Sequence, residues 1–185
     1  PIVYEPTAAV DGKIVFTGLN PDTRIQITKT YSQTDDPYTL DLVVKLENKS
    51  GVNHSSSDYY VHTGAIEHIH HKELPIYLSY SWCEDGEADK EAVNWFNGGG
   101  FIFKDPPQSV LEANGKALQW AGPINQFYAS LIVPDETRPG STWARRSPVT
   151  LADAPDEPEG TYHSLYGAMS FPEIMLADGE SSSHK

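Results

Sequence analysis

The sequence predicts an all-β protein, a single domain built as a sandwich of antiparallel sheets. Three observations carry that expectation. Runs of β-branched and aromatic residues recur from one end of the chain to the other. Several of them alternate apolar and polar residues with a period of two, which gives a strand one buried and one wet face. Fourteen Gly and fourteen Pro punctuate the 185 residues, so turns are frequent and long helices are not expected.

The strands follow in order. Lys13–Thr17 is a short β-branched run. In Arg24–Tyr31, Ile25, Ile27 and Lys29 face one way and Gln26 and Thr28 the other. In Tyr38–Glu47, Leu40, Leu42, Val44 and Leu46 oppose Asp41, Val43, Lys45 and Glu47. The cluster Gln33-Thr-Asp-Asp-Pro37 between them is a turn, so these two runs form an antiparallel hairpin. Further strands are predicted at Asp58–Gly64, Ile76–Trp82, Val93–Phe96, Ser109–Glu112, Ala117–Ala121, Gln126–Val133 and Tyr162–Phe171. Asn114-Gly115 suits a two-residue hairpin turn between the strands around it. A helical turn is expected only within Asp85–Asn94. Pro134–Pro148, with Arg138, Arg145 and Arg146, reads as a long loop, and Ala152–Gly160 as an acidic, Pro-rich connector, so 134–160 is loop-rich. Ser181–Lys185 is expected to fray.

Composition bounds the function. Hydrophobic residues make up 38% of the chain, enough for a core without disulfide or metal staples. Thirteen basic residues against twenty-six acidic ones leave a net charge of −13, with a pI near 4.8. That balance repels phosphate backbones and anionic lipid, which argues against nucleic-acid and membrane-surface partners. No apolar run is long enough to span a bilayer. The chain opens at Pro1 without a signal peptide and is expected to be an excised or processed segment. Cys83 is the lone cysteine, so an intrachain disulfide is impossible. Asp85 and Glu84 beside it would raise a thiolate pKa, so a buried, inert thiol is expected.

The densest titratable cluster is Glu67-His-Ile-His-His71, with His62 five residues upstream. On a strand, His68 and His70 would share one face and Glu67 and His71 the other. Two imidazoles at that spacing can chelate Zn²⁺ if a third ligand arrives from elsewhere. The segment lies between Gly64 and Pro75, however, where solvated loop histidines are the expectation, and no metal site or cofactor is assigned. An acid/base pair for aldose chemistry could draw its acid from His62, His68, His70, His71 or His163, and its base from Glu67, Glu84 or Glu173. No spacing selects a pair, so no catalytic residue is assigned and a non-enzyme is expected.

Of the four tryptophans, Trp82 and Trp120 are expected in the core. Trp95 and Trp143 are expected at exposed positions, where a ring could stack on a sugar. The strand Gln126–Val133 is apolar on both faces, as for a strand buried between two layers. Gly98-Gly-Gly100 lacks the Lys-Ser/Thr of a phosphate loop. Asn48-Lys-Ser and Asn53-His-Ser are sequons that matter only in a glycosylating compartment.

Three segments resemble, in order, the periplasmic domain of YidC-family membrane protein insertases. Ile25-Gln-Ile-Thr-Lys-Thr-Tyr31 with Asp36–Ser50 is similar to that family's paired strands, the second ending Glu47-Asn48. Trp120-Ala-Gly-Pro-Ile-Asn-Gln-Phe-Tyr-Ala-Ser-Leu-Ile-Val-Pro134 resembles its aromatic strand ending in Pro. Tyr166–Glu180 is similar to its late strand and turn. The resemblance implies a β-supersandwich related to galactose mutarotase domains, generally without their activity, lacking here some terminal strands. It implies a soluble domain on the periplasmic face of the bacterial inner membrane, acting as a scaffold or interaction module in membrane protein insertion. The partners it implies are the membrane-embedded core of the same polypeptide, Sec translocon components and substrate membrane proteins. Tyr59–Ala65 departs from the family's "Y-x-L-x-G-P" strand, and the histidine cluster matches no family motif. The alternatives are a carbohydrate-binding or mutarotase-like protein and a metal-binding domain using the histidines.

Overall fold

A computed structural model describes residues 2–7, 10–56, 59–99, 106–115, 117–135 and 139–185. The protein is all-β, with multiple antiparallel sheets and, among the described residues, no helix of seven residues or more. Its residues fall into two compact units, the first holding 1–58, 135–137 and 172–185, the second 59–134 and 138–171.

The first unit contains a five-stranded sheet in the order β1 (Tyr4–Pro6), β2 (Lys13–Leu19), β3 (Ile25–Gln33), β4 (Leu40–Asn48) and β14 (Ser181–His184). The expected hairpin is present: β3 and β4 pair from Ile25↔Asn48 to Gln33↔Leu40. The alternation predicted along β4 holds in its second half, where Val44 and Leu46 are buried, whereas Leu40 at its start is 65% exposed. Ser181–His184, expected to fray, instead pairs with Glu47–Val44 of β4. Serine-rich polarity does not preclude a strand whose backbone finds an open edge. A small two-stranded sheet joins β5 (His54–Ser56) to β13 (Ile174–Leu176). Asn48 is fully buried between these pieces, and its Nδ2 donates to the carbonyls of Val52, Leu176 and Ala177 at 2.7, 3.0 and 3.2 Å. Its sequon is therefore closed to modification, while Asn53 is exposed.

The second unit is a β-sandwich. One sheet runs β10 (Leu118–Ile124), β7 (Ser79–Glu84), β8 (Glu87–Ala92). The other runs β6 (Tyr59–Glu67), β12 (Tyr162–Phe171), β11 (Ser141–Val149), β9 (Leu111–Asn114). Leu78, Tyr80, Leu118 and Ala121 from the first side meet Leu111, Ala144, Leu165, Met169 and Phe171 from the second. Tyr80 crosses the core, and its hydroxyl lies 2.7 Å from Thr142 Oγ1, which also donates to Ala168 O at 2.9 Å. Gly167 makes room for that ring, since a Cβ there would lie 2.6 Å from Tyr80 Cε2.

Several expected elements in this unit are corrected. Asp85–Asn94 is not helical: Asp85 and Gly86 both take positive φ (50° and 81°) and join β7 to β8 as a two-residue hairpin. Val93–Phe96 is not a strand but part of a 3₁₀ turn, Val93–Asn97, whose three-residue period buries Val93 and Phe96 together. Pro75–Tyr77 forms a second such turn, so the strand expected from Ile76 begins at Ser79. Asn114-Gly115 does not make a hairpin, because β9 pairs with β11, β10 pairs with β7, and Gly115 N–H goes to Gly140 O at 2.9 Å. The loop expected over Pro134–Pro148 contains β11, paired on both sides over Ser141–Ala144. Pro148 is tolerated beyond Asn114↔Ser141–Leu111↔Ala144, where β11 pairs only with β12. Arg138 lies outside the described residues. Gln126–Val133 is no buried strand: it touches β10 through isolated bridges at Ile124↔Ala129 and Ala121↔Ile132, and most of it is exposed.

Candidate functional site

Strand β6 leads into the histidine segment. Gly64 sits at φ 83°, where β6 and β12 lose register, and a Cβ there would press on Ser130 Oγ. Beyond Glu67 the chain leaves the sheet, so His68 and His70 do not share a strand face. His68 is buried at 1% exposure, with Nδ1 3.0 Å from the carbonyl oxygen and 3.2 Å from the amide nitrogen of His163. Its ring meets Tyr162 edge-on at 5.8 Å. His70 turns the other way, against Phe127 at 6.0 Å. His71 contacts Asp153 twice, through Nδ1 at 2.9 Å and through its backbone N–H at 3.2 Å. Glu73 closes the loop: its buried carboxylate accepts from Ile69 N–H at 2.9 Å.

The His71–Asp153 contact fastens the acidic connector 152–160 to this loop. Hydrogen bonding from His71 holds the Asp153 carboxyl below its ordinary value. Beside them lies an open groove of about 390 Å³ lined by His71, Asp153, Ala154, Pro155, Asp156 and Glu157.

The acid/base candidates are dispersed. His62 lies on the sheet face turned away from the core, with its ring against Trp143 at 5.7 Å. Glu67 stands opposite Ser164 on β12. Glu84 approaches Gly115, where a Cβ would come 2.9 Å from its carboxylate. Glu173, in the first unit, accepts from Ser55 Oγ at 2.5 Å. Among the described residues, no group of three His, Cys, Asp or Glu side chains is placed to hold a metal ion. Cys83 is buried, and its thiol donates to Gln119 Oε1 at 3.1 Å. Gly98 caps the Val93–Asn97 turn, whereas Gly100 lies outside the described residues.

The tryptophans are placed differently from expectation. Trp120 is half-buried, next to a register shift of β10 that sends Leu118 and Ala121 into the core instead. Trp82 and Trp95 are also half-buried and pack against the core. Trp143 is half-buried in the middle of β11, edge-to-face with His62 and with Tyr166 (6.2 Å), and the Arg145 guanidinium lies 5.7 Å from its ring. The masking signal was the Pro/Gly/Arg composition around it, which reads as loop.

The feature that sequence reasoning missed is an exposed arm. From Asn125 to Val133 the chain folds back on β10, and Asn125 Oδ1 accepts the N–H groups of Phe127 and Tyr128 at 2.8 Å each. Asn125 Nδ2 and Ser130 Oγ then bond the carbonyls of Glu67 and Thr63 on β6, at 3.0 and 2.6 Å. The backbone is thus pinned, while Phe127, Tyr128, Leu131 and Val133 are 54%, 66%, 41% and 66% exposed. An ordered segment with four large apolar side chains in water is the surface expected of a contact site. No helix among the described residues is long and apolar enough to cross a membrane. No family model matches the chain, and no curated protein matches it.

Proposed function

We propose that this chain is the extracytoplasmic, non-catalytic domain of a YidC-like membrane protein insertase. In this reading it acts as a scaffold or interaction module on the periplasmic side of the inner membrane, beside a membrane-embedded core of the same polypeptide. The observation that carries the interaction role is the pinned arm Asn125–Val133 with its four exposed apolar side chains. It lies in the segment Trp120–Pro134 that resembles the insertase family in sequence, although here Gln126–Val133 folds as an arm and not as a strand. The segment that carries the first resemblance forms the β3–β4 hairpin, as paired strands would. Sec translocon components and substrate membrane proteins are the partners this reading favours.

Depletion of the gene product in its native host tests the proposal. Pulse-labelled inner-membrane proteins should then remain accessible to protease in the cytoplasm, and re-expression of the whole gene should restore their insertion. Unchanged insertion kinetics after full depletion would remove the insertase role.

A further inference from the structure

Along β11 and β12 the core layer ends at Ala144 and Leu165, both fully buried. The next residues on the same sheet face are Arg146 and His163, since Arg146 pairs with Leu165 and His163 with Pro148. They are diagonal neighbours on adjacent strands, a relation that places Cα atoms roughly 7–8 Å apart.

Arg146 is half-buried and anchored along one edge. Its Nη1 donates to Asn97 Oδ1 at 2.7 Å and to Val93 O at 3.3 Å, and its guanidinium carbon lies 5.7 Å from the centre of the Phe96 ring. No carboxylate lies within ion-pair distance of it among the described residues. Nε and Nη2 likewise have no hydrogen-bond partner there. In a chain with twice as many acidic as basic residues, a partly desolvated guanidinium without a counter-charge is an unusual choice. The two hydrogen bonds from Nη1 and the contact with the Phe96 ring hold the planar group still, so its other donors are pre-organised.

His163 has the matching chemistry. Burial, then the charges of Arg146 and His68, push its imidazole below the ordinary value, so at pH 7 it is neutral and offers one N–H.

We propose that Arg146 and His163, at the end of the second unit's sandwich core, form a binding site for a carboxylate group. The planar guanidinium fork matches two carboxylate oxygens. One positive charge balances the single negative charge of a carboxylate and leaves a phosphate dianion undercompensated. Aspartate or glutamate side chains and the C-terminus of a polypeptide carry this group, as do small organic acids. The inference rests on Arg146 and His163 alone and does not depend on the insertase reading.

Titration of the ¹⁵N-labelled chain by NMR tests it, with sodium acetate, sodium phosphate and sodium chloride at matched ionic strength and pH 7. Acetate should shift the Arg146 Nε–H, the amides of Val93–Asn97 and the His163 ring signals in a saturable way. Chloride should leave them in place. A peptide with a free C-terminus and its amidated counterpart separate the sources: a stronger effect of the free acid than of acetate assigns a polypeptide, equal effects a small acid. Arg146→Lys should weaken the acetate response at least several-fold, and Arg146→Gln should abolish it while distant signals persist. Acetate shifts no larger than chloride shifts, shifts confined to other residues, or a saturable response to phosphate alone would overturn the proposal. The wild-type titration stands even if a variant fails to fold.

Discussion

The rings of His62 and Trp143 meet edge to face at 5.7 Å, from two strands that are not neighbours. Between them in the sheet register lies Ala168, paired with both, and it is fully buried although it faces away from the sandwich core. The small side chain leaves the gap across which the two rings touch. Trp143 is therefore a structural part of the outer sheet face, contrary to its expected place on a loose loop. Trp143→Ala should cost about 2 kcal/mol, below the roughly 3–5 kcal/mol of a fully buried aromatic. Urea denaturation of this variant beside Trp120→Ala checks it: the two midpoints should fall by similar amounts. A wild-type midpoint for Trp143→Ala would show that the ring contributes no packing.

The buried link between Tyr80 and Thr142 joins the two sheets of the second unit. Tyr80→Phe removes one hydroxyl from the pair, while Thr142 keeps its bond to Ala168 O. The expected loss is about 1 kcal/mol, the net worth of one hydrogen bond. Gly167→Ala should be far more damaging, because its methyl would strike the Tyr80 ring and the Trp143 carbonyl. Equilibrium unfolding of both variants should rank them in that order.

Much of the fold was legible because the sequences of β3 and β4 alternate with a period of two, and in β4 Val44 and Leu46 are buried while Val43, Lys45 and Glu47 are only half-buried. Tyr162–Phe171 was equally plain, and its bounds coincide with β12. Reading failed where a distant partner decides the local structure. Ser141–Val149 becomes a strand because β9 and β12 flank it, a fact that its Pro, Gly and Arg neighbours obscure. Asp85-Gly86 carried a hairpin signal that the helical turn expected over Asp85–Asn94 overrode. At the candidate site, the histidines were visible as residues, but their separation was not. His68 turns inward to His163, ninety-five residues away, and His71 outward to Asp153, eighty-two away. The arm was misread because apolar residues on both faces usually signal a buried strand. Here Asn125 and Ser130 pin the backbone and leave the side chains in water.

At Gly122 the arm packs directly on β10, and a Cβ there would collide with the backbone at Ser130. Gly122→Ala should therefore detach the arm without unfolding the sandwich. Hydrogen exchange is the readout: the amides of Ala121, Ser130 and Ile132, bonded across this contact, should lose protection. The amides of β11 and β12 should keep theirs.

The clasp between His71 and Asp153 predicts a pH dependence with a definite sign. The Asp153 carboxyl is held below its ordinary value of 3.8, chiefly by the hydrogen bond from His71. A carboxyl depressed in the folded state adds stability that is present above 3.8 and is lost as the pH falls through the lower folded value. Wild type and Asp153→Asn should accordingly differ in urea midpoint at pH 6, and the difference should shrink below pH 3.8. Because the pair is exposed, high salt should narrow the gap at pH 6. A gap that widens in acid would contradict the assignment.

The insertase reading makes one demand that can be met or refused in a single experiment. Antiserum raised against this chain is used on fractionated cells of the native host, after alkaline carbonate washing of the membranes. The reading predicts an antigen that stays in the inner-membrane fraction, is well above 20.4 kDa and loses its epitope when protease is added from the periplasmic side. A carbonate-soluble antigen of about the chain's own mass, or one protected from periplasmic protease, would contradict it.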